Sequence, residues 1–316
     1  MAVAAVLAAG CGKQQEQPAG TQAKAPAAAK VKITLSGAWA LYPMAVKWAE
    51  EYQKLNPNIR VGVSAGGAGK GMTDALAGAV DLGMVSREIN QAEKDKGAWW
   101  VSVVKDAVLP TMNGANPAMA AIALRGLTRD EFRGIWVTTQ QTNWSVFAQD
   151  ATPNNIHVYT RSDACGAAET WAKYLGANQE DLKGTGVFGD PGLAEAVRKD
   201  PLAIGFNNLN FAYELKTGKP IQGIRVVPID INGNQKIDPE ENFYGTLQDT
   251  AKAIADGRYP LPPARALHLV SNGKPAKKEV VEFLRWVLTD GQKFVMESGY
   301  INLPEEKIAE ELKKLD

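Results

Sequence analysis

The 316-residue chain predicts an α/β protein of two lobes, each a mainly parallel sheet flanked by helices. Three observations point there. Short apolar runs alternate with helical patterns along most of the chain, the pattern of parallel strands covered by helices. The length exceeds the roughly 250–300 residues at which a single core stops growing. Three of the strand-like runs are each followed by a turn of small residues and then a helix start, which leaves backbone N–H groups free at three helix N-termini.

The elements follow in order. Val31 to Leu35 reads as a strand, Ser36-Gly37-Ala38-Trp39-Ala40-Leu41-Tyr42-Pro43 as the first turn, and Met44 to Leu55 as an amphipathic helix. Arg60 to Ala65 is the next strand, closing on the second turn, Ala65-Gly66-Gly67-Ala68-Gly69-Lys70-Gly71, before a helix over Met72 to Val80. Strands are then expected at Leu82 to Val85, Ala107 to Met112, Asn155 to Thr160, Thr185 to Phe188, Ala203 to Phe206, Ile224 to Ile229 and Ala266 to Val270. The third turn, Arg161-Ser162-Asp163-Ala164-Cys165-Gly166-Ala167, opens a helix that carries Trp171. Helices over Val280 to Leu288 and Gly291 to Gly299 are expected to pack back on the first lobe, and Glu305 to Asp316 forms a surface helix with a docking stripe at Ile308, Leu312 and Leu315. Trp99, Trp100, Trp136 and Trp144 read as packing anchors, because large aromatics dominate cores.

Lys plus Arg equals Asp plus Glu at 35 each, so net charge implies neither a nucleic acid nor an acidic membrane surface as partner. The apolar content of 45% is enough for two cores. Of the two cysteines, Cys11 ends Leu7-Ala8-Ala9-Gly10-Cys11, a sequence that resembles the lipobox of a bacterial-type lipoprotein. That assigns residues 1–11 to a signal remnant with Cys11 as lipidation site and 12–30, rich in Ala, Gln, Pro and Lys, to a flexible tether. A positively charged leader start is missing, so the true start is expected upstream. Cys165 then has no disulfide partner within the chain.

The order of segments resembles the phosphate-binding receptors of ABC importers, a branch of the type II periplasmic-binding-protein fold. It is carried by the three turns, Tyr42-Pro43, Val80-Asp81-Leu82-Gly83-Met84-Val85-Ser86-Arg87, Leu127 to Trp136 with Asn143-Trp144, Gly189-Asp190-Pro191-Gly192, Asp200 to Phe206, Tyr259-Pro260-Leu261, Asn272-Gly273-Lys274-Pro275 and Thr289 to Lys293. The resemblance implies that the chain crosses twice between lobes, near Ala107 to Pro117 and Gly257 to Leu267, dividing it into 31–112 and 263–316 for the first lobe and 113–262 for the second. It implies a monomeric receptor that needs no cofactor, is anchored outside the cytoplasm, and passes inorganic phosphate or a similar oxyanion to an ABC permease.

The hydroxyls that the family usually places in the three turns are replaced here by Ala38, Trp39 and Ala40, by Ala68, and by Cys165 and Ala167. The expected ligand set is therefore backbone N–H at Ala40, Leu41, Gly69, Gly166 and Ala167, the charges of Lys70, Arg87 and Arg161, and Ser86 and the Trp39 indole, with Asp163 holding Arg161. Some family members carry an aspartate where Arg87 stands, which accepts a proton from phosphate and rejects sulfate. Without it, sulfate, molybdate, tungstate and small organic anions stay open as ligands. Two other classes also stay open: an enzyme using Cys165, with His157 and His268 as the only histidines, and a sensory or interaction module that has lost its solute. Loss of Arg161 is expected to abolish binding with the fold retained.

One further segment, Asp230 to Glu241, places oxygens at positions 1, 3, 5, 9 and 12 of a twelve-residue loop, as in an EF-hand. Asp230, Asn232, Asn234, Asp238 and Glu241, with the Lys236 carbonyl, make it a candidate structural calcium site, against an ordinary Asx-rich turn in which Gln235 stands where glycine is expected.

Overall fold

In the computed structural model, the residues described are 1–2, 31–148 and 154–316. Cys11, its lipobox and the tether lie outside the described residues.

The first strand, β1 (Val31–Gly37), is flanked by β2 (Ile59–Ala65) and β3 (Leu82–Val85), both parallel to it. The helices that return the chain, Tyr42–Leu55 and Ala68–Leu76, each start directly after a strand and a small-residue turn. Pro43 suits the first turn of its helix, where an N–H has no intrahelical partner. The helix buries Met44, Ala45, Trp48, Ala49 and Tyr52 on one face, the 3.6-residue spacing read from sequence.

β4 (Ala98–Asn113) is the element that departs most from expectation, beginning nine residues before the expected Ala107. Its first half, Trp99-Trp100-Val101-Ser102-Val103-Val104, is rich in aromatic and β-branched residues. Lys105 and Asp106 look like a boundary in the sequence, yet Asp106 is buried opposite Arg265 of the neighbouring strand.

β5 (His157–Arg161), β6 (Thr185–Val187) and β7 (Ala203–Asn208) form the parallel part of the second lobe in the order β6-β5-β7. β8 (Ile224–Val226) pairs with β4 and is shorter than the expected Ile224 to Ile229, since Pro228 cannot donate to a ladder. β9 (Ala264–Asn272) completes the set.

The strand order is β2-β1-β3-β9-β4-β7-β5-β6, with β8 also on β4. Both lobes are parallel at their outer strands, and antiparallel pairs appear where the chain crosses. β4 pairs with β9 from Ala98 to Ala107, with a bulge between Ser102 and Val104, and then with β7 from Val108 to Met112. One continuous strand thus serves both sheets.

Two cores flank that crossing. One gathers Ile33, Leu35, Met44, Trp48, Leu82, Val101, Leu269, Phe283 and Val287. The other gathers Leu109, Phe132, Trp136, Trp144, Trp171, Phe206 and Tyr259. Trp136 and Trp144 are fully buried anchors, whereas Trp99 and Trp100 are half-buried against the first core. Trp136, Phe132, Trp171 and Phe206 pack with ring centroids 5.2–6.1 Å apart.

The helix Lys278–Leu288 lies against the first core, and the expected helix over Gly291 to Gly299 is instead two 3-10 turns, Asp290–Phe294 and Met296–Ser298, ending in the left-handed Gly299. Ile308 and Leu312 of the helix Glu305–Lys313 pack on the same core, while Glu311 beside them is buried between Lys307 (3.3 Å) and Lys314 (2.5 Å). Among the described residues no helix is long and apolar enough to cross a membrane.

Trp171 is fully buried at the centre of its aromatic cluster. Trp171→Ala should lower unfolding free energy by about 3–5 kcal/mol, and Trp171→Phe by less, read from urea titrations followed by circular dichroism.

Candidate functional site

The three turns come together where the lobes meet. Gly69 of the second turn donates its N–H to the Ala164 carbonyl of the third at 3.1 Å, so the lobes are in direct contact. Gly67, at φ 94°, leaves no space for a side chain, since a Cβ there would sit 2.9 Å from both the Ala164 carbonyl oxygen and Asp163 Oδ2. Gly166 touches Ser86 closely enough that an added Cβ would overlap both the carbonyl and the hydroxyl oxygen of Ser86. Trp39 reaches from the first lobe to Gly189 and packs edge-on against Phe188, ring centroids 6.5 Å apart.

Arg161, the last residue of β5, has a side chain with no solvent exposure. Its Nε donates to Asp163 Oδ1 at 2.8 Å and its Nη2 to Asp163 Oδ2 at 2.6 Å, a planar two-bond fork. Nη1 donates to Asp190 Oδ2 at 2.5 Å. Asp163 Oδ1 also accepts from the Gly189 N–H, and Asp190 in turn accepts from Asn208. Burial disfavours the Arg161 charge, but Asp190 and Asp163 outweigh it and hold the guanidinium above its ordinary pKa.

The helix Gly166–Tyr174 begins beside this cluster. Cys165 is its N-cap, the sulfur accepting from the Ala168 N–H at 3.4 Å, while the Cys165 N–H goes to Gln179 Oε1. The N–H groups of Gly166 and Ala167, and of Ala40 across the cleft, have no protein acceptor among the described residues. The Trp39 indole Nε1 is buried without a partner. These free donors belong to turns of both lobes.

Other residues of the expected set are committed elsewhere. The Leu41 N–H closes a turn onto Ala38, and the Gly69 N–H is the interlobe bond described above. Ala68 is fully buried at its helix start, and Lys70 pairs with Asp74 one helical turn on. Arg87 forks onto Glu93 at 2.9 and 2.6 Å and crosses to Glu169 of the second lobe at 2.9 Å. With Glu88 and Lys173, 2.5 Å apart, it ties the lobes together. Ser86 is buried between Gly166 and Arg265, its carbonyl accepting from Arg265 Nε at 2.7 Å.

Cys165 is not placed as a nucleophile. Burial pushes its thiol up to about 12, more than Arg161 can offset. His157 pairs with Asp200 at 2.7 Å and His268 with Ser102 at 3.1 Å, so neither acts as its base.

The calcium expectation meets a loop closed on itself. Asp230 accepts from the N–H groups of Gly233 and Gln235, and Glu241 from those of Ile231 and Asp238. Asp238 takes the amides of Asn232 and Asn234 and pairs with Lys236 at 3.3 Å, while the Asn234 side chain caps the Lys236 N–H. Gln235 supplies the left-handed residue at φ 62° in place of the expected glycine. No metal-holding group of His, Cys, Asp or Glu is found among the described residues.

Sequence reasoning missed Asp190, Asn208, Arg265 and Asp106. Asp190 sits in a segment noted only for its resemblance, and Arg265 stands one residue before the expected strand Ala266 to Val270.

Residues 16–291 match the PBP superfamily domain. Among curated relatives, the phosphate-binding protein PstS of Methanocaldococcus jannaschii is 28% identical, with 82% of this chain and 79% of that protein covered. The phosphate-binding protein PstS of Bacillus subtilis is 26% identical, with 98% and 93% covered. Among solved structures, an ABC-type phosphate transport receptor from Vibrio cholerae superposes with a TM-score of 0.63 at 22% identity, covering 86% of this chain and all of that one. A Clostridium perfringens protein crystallised with bound phosphate gives a TM-score of 0.70 at 20% identity, with the same coverage. These structural matches establish the two-lobed binding-protein fold, and the match over residues 16–291 establishes the family: the chain belongs to the PBP superfamily.

Proposed function

We propose that the protein is an extracytoplasmic solute receptor that captures phosphate between its lobes and delivers it to the permease of an ABC importer. The observation that carries this reading is the set of free donors, Ala40, Gly166 and Ala167 N–H with Trp39 Nε1, on turns of both lobes around the buried Arg161. N–H groups at a helix N-terminus favour an anion through both hydrogen bonding and the helix dipole. The relatives that carry a phosphate-binding name, at 25–28% identity over most of the chain, support phosphate as the solute.

The mechanism is capture without chemistry. A ligand touching donors of both lobes gains contacts only when they close, and this differential affinity shifts the hinge equilibrium. The Arg87–Glu169 and Glu88–Lys173 pairs add to the closed state. We assign 31–112 with 263–316 to one lobe and 113–262 to the other; the two cores follow this division except at Ala107 to Met112, Ala264 and Ile301, which pack in the core of the second lobe. The permease reads the closed form, and Cys11, if lipidated, tethers the receptor at the membrane.

Phosphate should raise the melting temperature in a concentration-dependent way, by the equivalent of about 2.7 kcal/mol at a hundred times Kd. A response only to sulfate, molybdate, tungstate or a carboxylate would keep the receptor and change the solute. Silence from every anion, after unfolding and refolding to strip carried ligand, would remove the receptor reading.

Gly166→Ala should weaken phosphate binding at least a hundredfold in calorimetry with far-UV circular dichroism unchanged, because the added Cβ would overlap the Ser86 carbonyl and hydroxyl oxygens across the cleft. Arg161→Ala should do more than remove binding. It strands Asp163 and Asp190 without their cation and should cost about 3–5 kcal/mol of stability, with the fold retained; unchanged urea unfolding would contradict this.

A further inference from the structure

A cavity of about 430 Å³ lies at the seam of the lobes, within the size range of small-molecule sites. Its walls come from three places: Arg87 and Glu88 of the first lobe, the helix Gly166–Tyr174 of the second, and the crossing segment that leads into β9. None of Trp39, Ala40, Gly166 and Ala167, the free donors of the cleft, lines it.

The charges at its rim are spent on each other, Arg87 on Glu169 at 2.9 Å and Lys173 on Glu88 at 2.5 Å. Three deeper polar groups are not. Thr170 and His268 are 6% and 8% exposed. The Thr170 hydroxyl makes no hydrogen bond among the described residues, and His268 bonds only through Nδ1, to Ser102 Oγ at 3.1 Å, which leaves Nε2 without one. Arg265, 8% exposed, lines the same cavity, and its Nη1 has no acceptor. Buried polar groups are normally paired, so three unpaired ones in a single cavity wall need a partner.

All three can donate. Burial pushes the His268 imidazole down to about 4, so the ring is neutral at pH 7, and with the Ser102 hydroxyl donating to Nδ1 its proton sits on Nε2. The Thr170 hydroxyl and Arg265 Nη1 are donors as they stand. The rest of the wall is apolar, from Leu261, Pro262, Ala264 and Ala266.

We propose that this cavity is a second ligand site, taking a small monocarboxylate whose oxygens accept from Thr170 Oγ1, His268 Nε2 and Arg265 Nη1 and whose short alkyl body lies against Leu261 and Pro262. Every free group is a donor, which calls for an anion. Glu88 and Glu169 stand in the same wall and repel a dianion such as phosphate more than a single charge. Because the walls belong to both lobes, an occupant favours the arrangement that brings them together. Thr170 lies on the helix that opens with the free N–H groups of Gly166 and Ala167, and Arg265 Nε holds the Ser86 carbonyl beside Gly166. Carboxylate and phosphate therefore strengthen each other's binding, by the same factor in both directions.

The test uses the full chain, stripped of ligand by unfolding and refolding, with sodium butyrate as probe and sodium chloride holding the ionic strength constant. Butyrate should raise the melting temperature in a concentration-dependent way, and at saturation should lower the phosphate Kd about fivefold or more in calorimetry. Thr170→Val removes the hydroxyl at nearly constant shape, and Leu261→Asp puts a like charge at a position that is 80% exposed. Each should abolish both butyrate effects and leave the phosphate Kd without butyrate unchanged. The absence of any butyrate shift in wild type overturns the proposal, as does an unaltered response in both variants. Competition between butyrate and phosphate, which would put both in the cleft, overturns it too, and so does a second phosphate per chain that displaces butyrate. Butyrate binding that Thr170→Val abolishes, in a chain that binds no phosphate, supports the cavity and fails the receptor reading alone.

Discussion

The Arg161 guanidinium, sealed from water and clamped by Asp163 and Asp190, is the interaction on which the rest of the site depends. A buried cation persists only when its charge and its hydrogen bonds are met. Meeting them fixes three segments at once: the end of β5, the turn that follows it, and the start of the helix Gly189–Lys199 that carries Asp190. The same carboxylates reach further, Asp163 to the Gly189 N–H and Asp190 to Asn208 at the end of β7. The turn so positioned presents the N–H groups of Gly166 and Ala167 without acceptors of their own.

The second constraint is the sharing of β4 and β9 between the lobes. A strand of sixteen residues that pairs with β9 along one half and β7 along the other makes the hinge part of the sheets rather than a loose connection. The change of partner falls at Ala107 and Val108, beside the buried Asp106–Arg265 pair. The lobes approach closely there, because Gly67 and Gly166 leave no room for a side chain between them.

What was legible in the sequence was local. The strand–turn–helix units, the Arg161–Asp163 fork two residues apart and the buried faces of the main helices follow from spacing alone. The long-range part was not. Asp190 is 29 positions from Arg161, and Arg265 is 57 from Asn208, distances at which spacing carries no information without the topology. Lys70 and Arg87, part of the expected ligand set, pair instead with Asp74 and Glu93, four and six positions on. The loop from Asp230 to Glu241 shows the converse, a ligand-like count of oxygens consumed by the loop's own N–H groups.

The central claim is that an oxyanion lies between the lobes, held by donors of both. Anomalous diffraction from crystals grown with arsenate, a heavier stand-in for phosphate, tests it most directly. The account predicts one strong arsenic peak within hydrogen-bonding distance of the Gly166 and Ala167 N–H groups, with the lobes closed around it. A closed cleft without that peak, or arsenic bound only on the outer surface, would contradict it.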